Sequence, residues 1–289
     1  MRQREPGDAS SDDGNDGHNR YSWVCVPSLL RGWRAGQASH GLCLQRATRV
    51  NTPMRYAISG ASRGIGLEFV RQLLERGDTV EAGVRVPTEA RLLSPLMNSV
   101  GPRLRIHELD ITNQASVRAF ASAVSDGPLD VLINNAGVSG KWCSFMEMDY
   151  EDMTKVMETN SVGPMRLSAA LMPAVLKGPT RKIIHLTTRM ASLTENTRGG
   201  VYGFEGGAYA YRMSKAALNV CMRTMAVDFR DQGLITAAIN PGWVRTEMGG
   251  KLAPMRPEDA VRGMLRVIDD ITKEQSGMFL DFQGREVPW

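Results

Sequence analysis

Cysteine and histidine are both scarce in this 289-residue chain, at four each. Cys25, Cys43, Cys143 and Cys221 are scattered without a C-x-x-C spacing, and no histidines cluster with them. That pattern argues against a disulfide framework and against a zinc site. No apolar run approaches the roughly 18 residues that a spanning helix needs, and the mean hydropathy is −0.25. Charge of one sign is lacking too. Lys plus Arg is 35 against 31 Asp plus Glu, a net charge of +4. Before Met54 there are seven Arg against five acids, and from Met54 on 28 bases against 26 acids. No basic face for nucleic acid is implied. There is no internal repeat. What is present, 42% hydrophobic and 23% charged residues, is ordinary for a globular chain long enough for one large domain or two small ones.

Residues 1–20 hold almost no aliphatic side chains and are rich in Asp, Gly, Ser and Asn. They cannot bury enough apolar surface to offset ordering and read as disordered. Residues 21–53 lack Asp and Glu altogether but carry several Arg and two Trp. Three readings stay open for this 53-residue extension: a transit peptide, a flexible arm, or sequence upstream of a biological start at Met54. Glu5, Asp8, Asp12, Asp13 and Asp16 count against a transit peptide, which should be poor in acids from its first residue. The expected location is therefore cytoplasmic, with organellar targeting by the extension as the alternative.

From Met54 onward, short β-type runs alternate with longer stretches of helical spacing. Strands are expected at 55–59, 79–84, 103–108, 131–133, 182–187 and 235–239. Helices are expected after the first strand as far as Glu75, with Gly77 as the stop, and near 114–124, 153–176 and 210–230. Strands separated by helices imply βαβ crossovers and a parallel sheet covered on both faces. The first strand runs into Gly60-Ala61-Ser62-Arg63-Gly64-Ile65-Gly66. Glycines there let the backbone turn tightly and approach a diphosphate, which a helix N-terminus then attracts. Close packing of helix on strand would also call for Gly66.

The strand, the G-x-x-x-G-I-G turn and the later Asn134-Asn135-Ala136-Gly137 together resemble the short-chain dehydrogenase/reductase family, over Met54–Trp289. The stretches 209–219 (YAYRMSKAALN) and 241–250 (PGWVRTEMGG), with the ending 279–289, resemble its branch of C-factor and sniffer-type carbonyl reductases. The resemblance implies a single doubly wound Rossmann α/β domain, with a mostly parallel seven-stranded sheet in the order 3-2-1-4-5-6-7. The dinucleotide would lie across the carboxyl ends of the strands.

The cofactor residues that the resemblance implies are Gly60, Ser62, Arg63, Gly64, Ile65, Gly66, Arg85, Asp110, Ile111, Asn134, Ala136, Gly137, Pro241, Gly242, Val244 and Thr246, with Tyr211 and Lys215. Arg63 and Arg85 sit where a 2′-phosphate needs a cation. Glu81, the rival acid, lies mid-strand, so NADP is expected and NAD is the alternative. Asp110 resembles an adenine-contacting Asp, although an Asp before Ile-Thr can also cap the next helix.

Tyr211 and Lys215 are four apart, on one face of a helix. A carbonyl accepting hydride needs a proton, and a free phenol, with a pKa of roughly 10, gives it up reluctantly. An adjacent ammonium stabilises phenolate and draws that value down. The family places a hydroxyl at the end of the preceding strand, normally Ser. Here Thr188 fills the position, with Thr187 expected to face the other side and Ser192 a more distant candidate. Asn160 matches an Asn that holds a helix irregularity and relays protons from the lysine. Between Thr188 and Tyr211 lies an extended segment with Gly199, Gly200, Gly203, Gly206 and Gly207, expected to form a mobile lid. The expected activity is NADP-dependent hydride transfer with a small carbonyl or alcohol substrate, in a homodimer or homotetramer, with no metal, nucleic-acid or membrane partner. The alternative is a nucleotide-binding signalling or scaffold protein with little turnover.

Overall fold

The computed structural model describes residues 52–197, 199–203 and 206–289; nearly all of the N-terminal extension lies outside them. Seven strands form one sheet: β1 (Arg55–Ser59), β2 (Thr79–Val84), β3 (Leu104–Glu108), β4 (Val131–Asn134), β5 (Lys182–Leu186), β6 (Ile235–Asn240) and β7 (Phe279–Asp281). The helices are α1 (Gly64–Glu75), α2 (Ser94–Val100), α3 (Gln114–Val124), α4 (Tyr150–Met157), α5 (Gly163–Lys177), α6 (Tyr209–Asp228) and α7 (Pro257–Asp270). The sheet order is β3-β2-β1-β4-β5-β6-β7, and every pairing is parallel. This is the order that the resemblance implied.

Strand alternation builds two cores, one on each face. Ile58, Ile133 and Ile184 pack with Phe69, Val70 and Leu73 of α1 and Val261 and Met264 of α7. Their neighbours Ala57, Leu132 and Ile183 pack with Val117 and Phe120 of α3 and Leu167 and Leu171 of α5. The chain order reverses between β1 and β4, which pair with each other. The crevice at their carboxyl ends is where such sheets take ligands.

Three elements had not been read from the sequence. α2 is only seven residues long and fully buries none of them, with Leu96 and Val100 packing on the core from its edge, and β7 has only three residues. α7 did carry signals: Pro257 at its start, Glu258 and Asp259 in its first turn, and a strong apolar face. The expected helix over 153–176 is two helices joined by a π-turn at Glu158–Val162, where the Gly163 N–H bonds the Glu158 carbonyl five residues back.

Candidate active site

The glycine turn is shaped by close contacts. Gly60 has φ +68°, and a side chain there would begin 2.9 Å from Ala136 Cα. At Gly66 a Cβ would overlap the Gly60 carbonyl oxygen and lie 2.6 Å from Asn135 Nδ2. The turn is pinned to the end of β4 by side chains. Ser59 Oγ accepts from the Asn135 and Ala136 N–H groups, both at 3.1 Å. Asn135 Nδ2 donates to the carbonyls of Ser59 (2.9 Å) and Gly60 (3.0 Å). α1 then starts at Gly64 with no side-chain cap and no acid in its first turn, leaving its N–H groups and positive dipole end for an anion. Ser62 and Ile65 are half-buried beside them. Thr246 closes the turn from the far side, its Cγ2 3.4 Å from where Gly64 would carry a Cβ.

Not every expected residue turns its side chain toward the glycine turn. Asn134 turns its side chain away from the turn, donating from Nδ2 to Ser168 Oγ at 2.9 Å and lying 3.3 Å from His185 Nδ1. By alternation it is Asn135 that reaches the glycines. Asp110 does not cap α3; Asn113 does. Asp110 Oδ1 instead accepts from the Thr112 N–H and hydroxyl. Ile111 is buried and packs against Gly163. Arg63 pairs with Glu247 across the turn, while Arg85 is exposed just past β2. Glu81 is unavailable to a ribose: it is fully buried and held by Arg55 Nε (2.9 Å), Arg105 Nε (2.9 Å) and His107 Nε2 (2.7 Å). Pro241 and Gly242 are half-buried, Val244 is buried, and Gly242 turns with φ +84° against Met255.

At the end of β5 the catalytic candidates converge. Thr188 is buried, caps the turn Arg189–Ala191 by accepting the Met190 N–H at 3.2 Å, and its hydroxyl lies near enough to the Tyr211 phenol to act on its pKa. Thr187 is buried and its hydroxyl finds no partner among the described residues. Ser192 Oγ accepts from the Glu195 N–H at 3.1 Å, which commits it to the lid. Lys215 is buried one helical turn beyond Tyr211 and donates from Nζ to the Leu186 carbonyl at 2.8 Å.

The expectation that Lys215 draws the phenol down does not hold in the protein by itself. Burial pushes Tyr211 up to about 12, against the Thr188 hydroxyl, which acts to lower it. Burial also brings the Lys215 ammonium down to about 8. Desolvation disfavours both charged forms, and Lys215 is not among the groups that shift the phenol.

Asn160 sits within the π-turn, fully buried. Its Oδ1 accepts the Val138 N–H (2.8 Å), and its Nδ2 donates to the Val138 carbonyl (2.8 Å) and Ser214 Oγ (3.0 Å). Gly137 lies between Asn160 and the lysine: a Cβ there would be 3.2 Å from Asn160 Oδ1 and 3.5 Å from Lys215 Nζ. The lid's described residues make several hydrogen bonds to the elements around them. Arg189 Nε holds Glu195 at 2.8 Å. The Thr194 N–H and hydroxyl both donate to the Trp289 carbonyl, at 2.8 and 2.6 Å. Arg212 reaches the carbonyls of Met190, Gly206 and Gly207. A cavity of about 430 Å³ opens along Arg189, Glu195, Thr197, Val201 and Tyr202. Asn135, Ser59, Ser214 and Tyr202 had not been singled out from the sequence. Only Asn135 carried a signal, as the second Asn of the Asn-Asn-Ala-Gly motif.

Among the described residues no cluster of His, Cys, Asp or Glu is arranged to hold a metal ion, and no helix is long and apolar enough to cross a membrane. A doubly wound sheet, a glycine cradle that any Cβ would fill, and a Thr-Tyr-Lys set at the end of β5 define a dinucleotide-binding oxidoreductase. The comparisons with known proteins agree. The chain belongs to the short chain dehydrogenase family, whose model matches residues 56–257. It is 52% identical over 173 residues to C-signal of Myxococcus xanthus, which covers 60% of this chain and 100% of that protein. Among solved structures it resembles the NADPH-bound carbonyl reductase from chicken fatty liver, with a TM-score of 0.76 and 32% identity. It also resembles the carbonyl reductase Sniffer of D. melanogaster, with a TM-score of 0.77 and 28% identity. Each of these alignments covers 82% of this chain and 100% of the other.

Proposed function

We propose that the protein is an NADP-dependent reductase that moves hydride between the nicotinamide and a small ketone or aldehyde, or the corresponding alcohol. The observation that carries this is the convergence of Thr188, Tyr211 and buried Lys215 at the carboxyl end of β5, with the Thr188 hydroxyl acting on the Tyr211 phenol and the Lys215 ammonium on the Leu186 carbonyl. The cofactor fits the residues present. The cradle of Gly60, Gly64 and Gly66 would take a diphosphate, Thr246 and Val244 would contact the nicotinamide part, and Arg63 and Arg85 would supply cations for a 2′-phosphate. Burial of Glu81 among three basic partners removes the acid that would favour NAD. When bound, the cofactor supplies the hydride.

The protein's part is to orient the carbonyl and deliver a proton. Thr188 and Tyr211 bracket the carbonyl oxygen, Thr188 holding it and Tyr211 passing its phenolic proton as charge develops there. Thr in place of Ser keeps the donor but adds a methyl that narrows the space. Lys215 would hold the ribose hydroxyls when the cofactor is bound and would steady the phenolate that remains. Asn160 fixes the Val138 backbone beside Gly137 and lies on the route by which Lys215 regains a proton from solvent.

The deciding assay is NADPH oxidation across a panel of aldehydes and ketones with Tyr211→Phe as control. Loss of roughly 10²–10⁴-fold is the expected size for a general acid; undiminished activity in the mutant refutes the assignment. A nucleotide-binding signalling protein with little turnover is the second reading. It is favoured by Thr188, by a phenol held near 12 and by the 52% identity to C-signal. Tight NADPH binding with no turnover of any carbonyl would select it.

The same proposal takes the protein as a cytoplasmic homodimer or homotetramer that engages neither nucleic acid nor a membrane. Met213, Val220 and Val227, spaced seven apart on α6, are exposed at 42%, 66% and 68% and form an apolar stripe suited to a second copy.

A further inference from the structure

The turn that carries Thr188 is held in place from the end of β6. Asn240, the last residue of β6, is 2% exposed and uses both ends of its amide on that segment. Its Oδ1 accepts the Arg189 N–H at 3.3 Å, and its Nδ2 donates to the Tyr202 phenol oxygen at 3.3 Å. Arg189 follows Thr188 directly and opens the turn that Thr188 caps. Val201, next to Tyr202, packs with Met190, Ala208 and Tyr211. One buried amide therefore joins the Thr188 turn to the part of the lid that rests on the catalytic phenol.

Tyr202 is an unusual residue for its position. Its φ is +57°, a conformation that bulky side chains avoid and that persists only where the surroundings enforce it. Gly200 and Gly203 close by adopt positive φ as well, and a glycine at 202 would be free of strain. What the tyrosine adds is a ring set 6.2 Å from that of Trp243 and the hydroxyl that receives Asn240.

We propose that Asn240 and Tyr202 are positioning residues that act through their shared hydrogen bond, holding the lid and the Thr188 turn in the register that the carbonyl requires. This deepens the reductase reading and rests on it.

The test uses three variants of the full chain. Tyr202→Phe removes the hydroxyl and leaves the ring against Trp243. Asn240→Leu removes both bonds. Asn240→Asp is the conservative variant: its carboxylate accepts the Arg189 N–H and also accepts from the Tyr202 hydroxyl, which turns from acceptor to donor. Tyr202→Phe is expected to lose roughly three- to tenfold in kcat/KM, the size of one neutral hydrogen bond, with NADPH affinity by fluorescence unchanged. Asn240→Asp is expected to recover most of what Asn240→Leu loses. Amide hydrogen exchange at Arg189 and Met190, which needs no turnover, should accelerate in Tyr202→Phe. Wild-type kcat/KM in Tyr202→Phe, an equal loss of NADPH affinity, or unaltered exchange at those two amides overturns the inference. A wild-type enzyme inert toward every carbonyl overturns the reductase reading instead, and the exchange measurement still decides the coupling.

Discussion

Replacing Gly66 with Ala separates packing from nucleotide binding more sharply than any other single change. The residue lies inside α1 with ordinary helical backbone, so alanine gains about 1 kcal/mol of helix propensity. Against that, the new methyl would sit 3.0 Å from the Gly60 carbonyl carbon and 2.6 Å from Asn135 Nδ2, where roughly 3.5–4.0 Å is normal for apolar contacts. The helix start must therefore retreat from the turn by on the order of 1 Å, and overpacking of this kind costs about 1–3 kcal/mol. The two effects largely offset, and the net loss of stability should be about 0–2 kcal/mol.

Nucleotide binding has no such compensation. Moving the first N–H groups of α1 off a diphosphate weakens one or two hydrogen bonds to a charged group, about 1.5–3 kcal/mol each. That corresponds to a rise of roughly 10- to 10,000-fold in the Kd for NADPH. Fluorescence titration with NADPH and urea unfolding measure the two quantities separately. Gly77→Ala is the control. Its φ is +89° with nothing within 4 Å, so it should lose about 1–2 kcal/mol of stability through backbone strain and leave NADPH affinity alone. A Gly66→Ala protein that binds NADPH as tightly as wild type, or a Gly77→Ala protein that does not, would refute the cradle.

Three further outcomes are expected. Arg85→Ala should weaken NADPH by roughly 10- to 100-fold, as loss of a charge-assisted bond implies, and leave NADH unaffected by calorimetry; equal losses for both would show that Arg85 does not read the 2′-phosphate. Lys215 is held down to about 8 from its ordinary 10.5. The unfolded chain keeps the proton between those values while the folded one has lost it, so stability should rise with pH across that window and be flat below it. An NMR midpoint near 8 in the cofactor-free protein, and loss of the slope in Lys215→Met, check this; a midpoint at 10.5 would contradict it. Glu81→Gln should cost about 3–5 kcal/mol by breaking a buried ionic set without changing NADPH affinity. The hydrogen bonds from His107, Arg105 and Arg55 hold the Glu81 carboxyl below its ordinary value against the desolvation that raises it. Its stabilisation is therefore complete above about pH 4.5 and lost as pH falls through the depressed value, which acid unfolding of wild type and mutant would reveal.

The expected strands match the observed ones closely, because each lies in a run of β-branched and aliphatic residues bounded by turn residues. The glycine turn and the Tyr211–Lys215 pair were equally plain, since both depend on residues at most six apart. The long helix was legible as helical but not as interrupted. The π-turn around Asn160 exists because that side chain reaches Val138 and Ser214, residues far off in the chain. α7 shows that capping signals can be present and still pass unread beside stronger motifs.

Local sterics and periodicity thus fixed the βαβ alternation, the cradle and the helical face that bears the phenol and the amine. These act within a few residues, so the sequence states them directly. The direction of each neighbouring Asn, the Arg63–Glu247 pair, the anchored lid and the raised phenol were decided only by the tertiary structure. Each depends on desolvation or on a partner distant in the chain, and neither exists until the sheet has brought the ends of β4, β5 and β6 together.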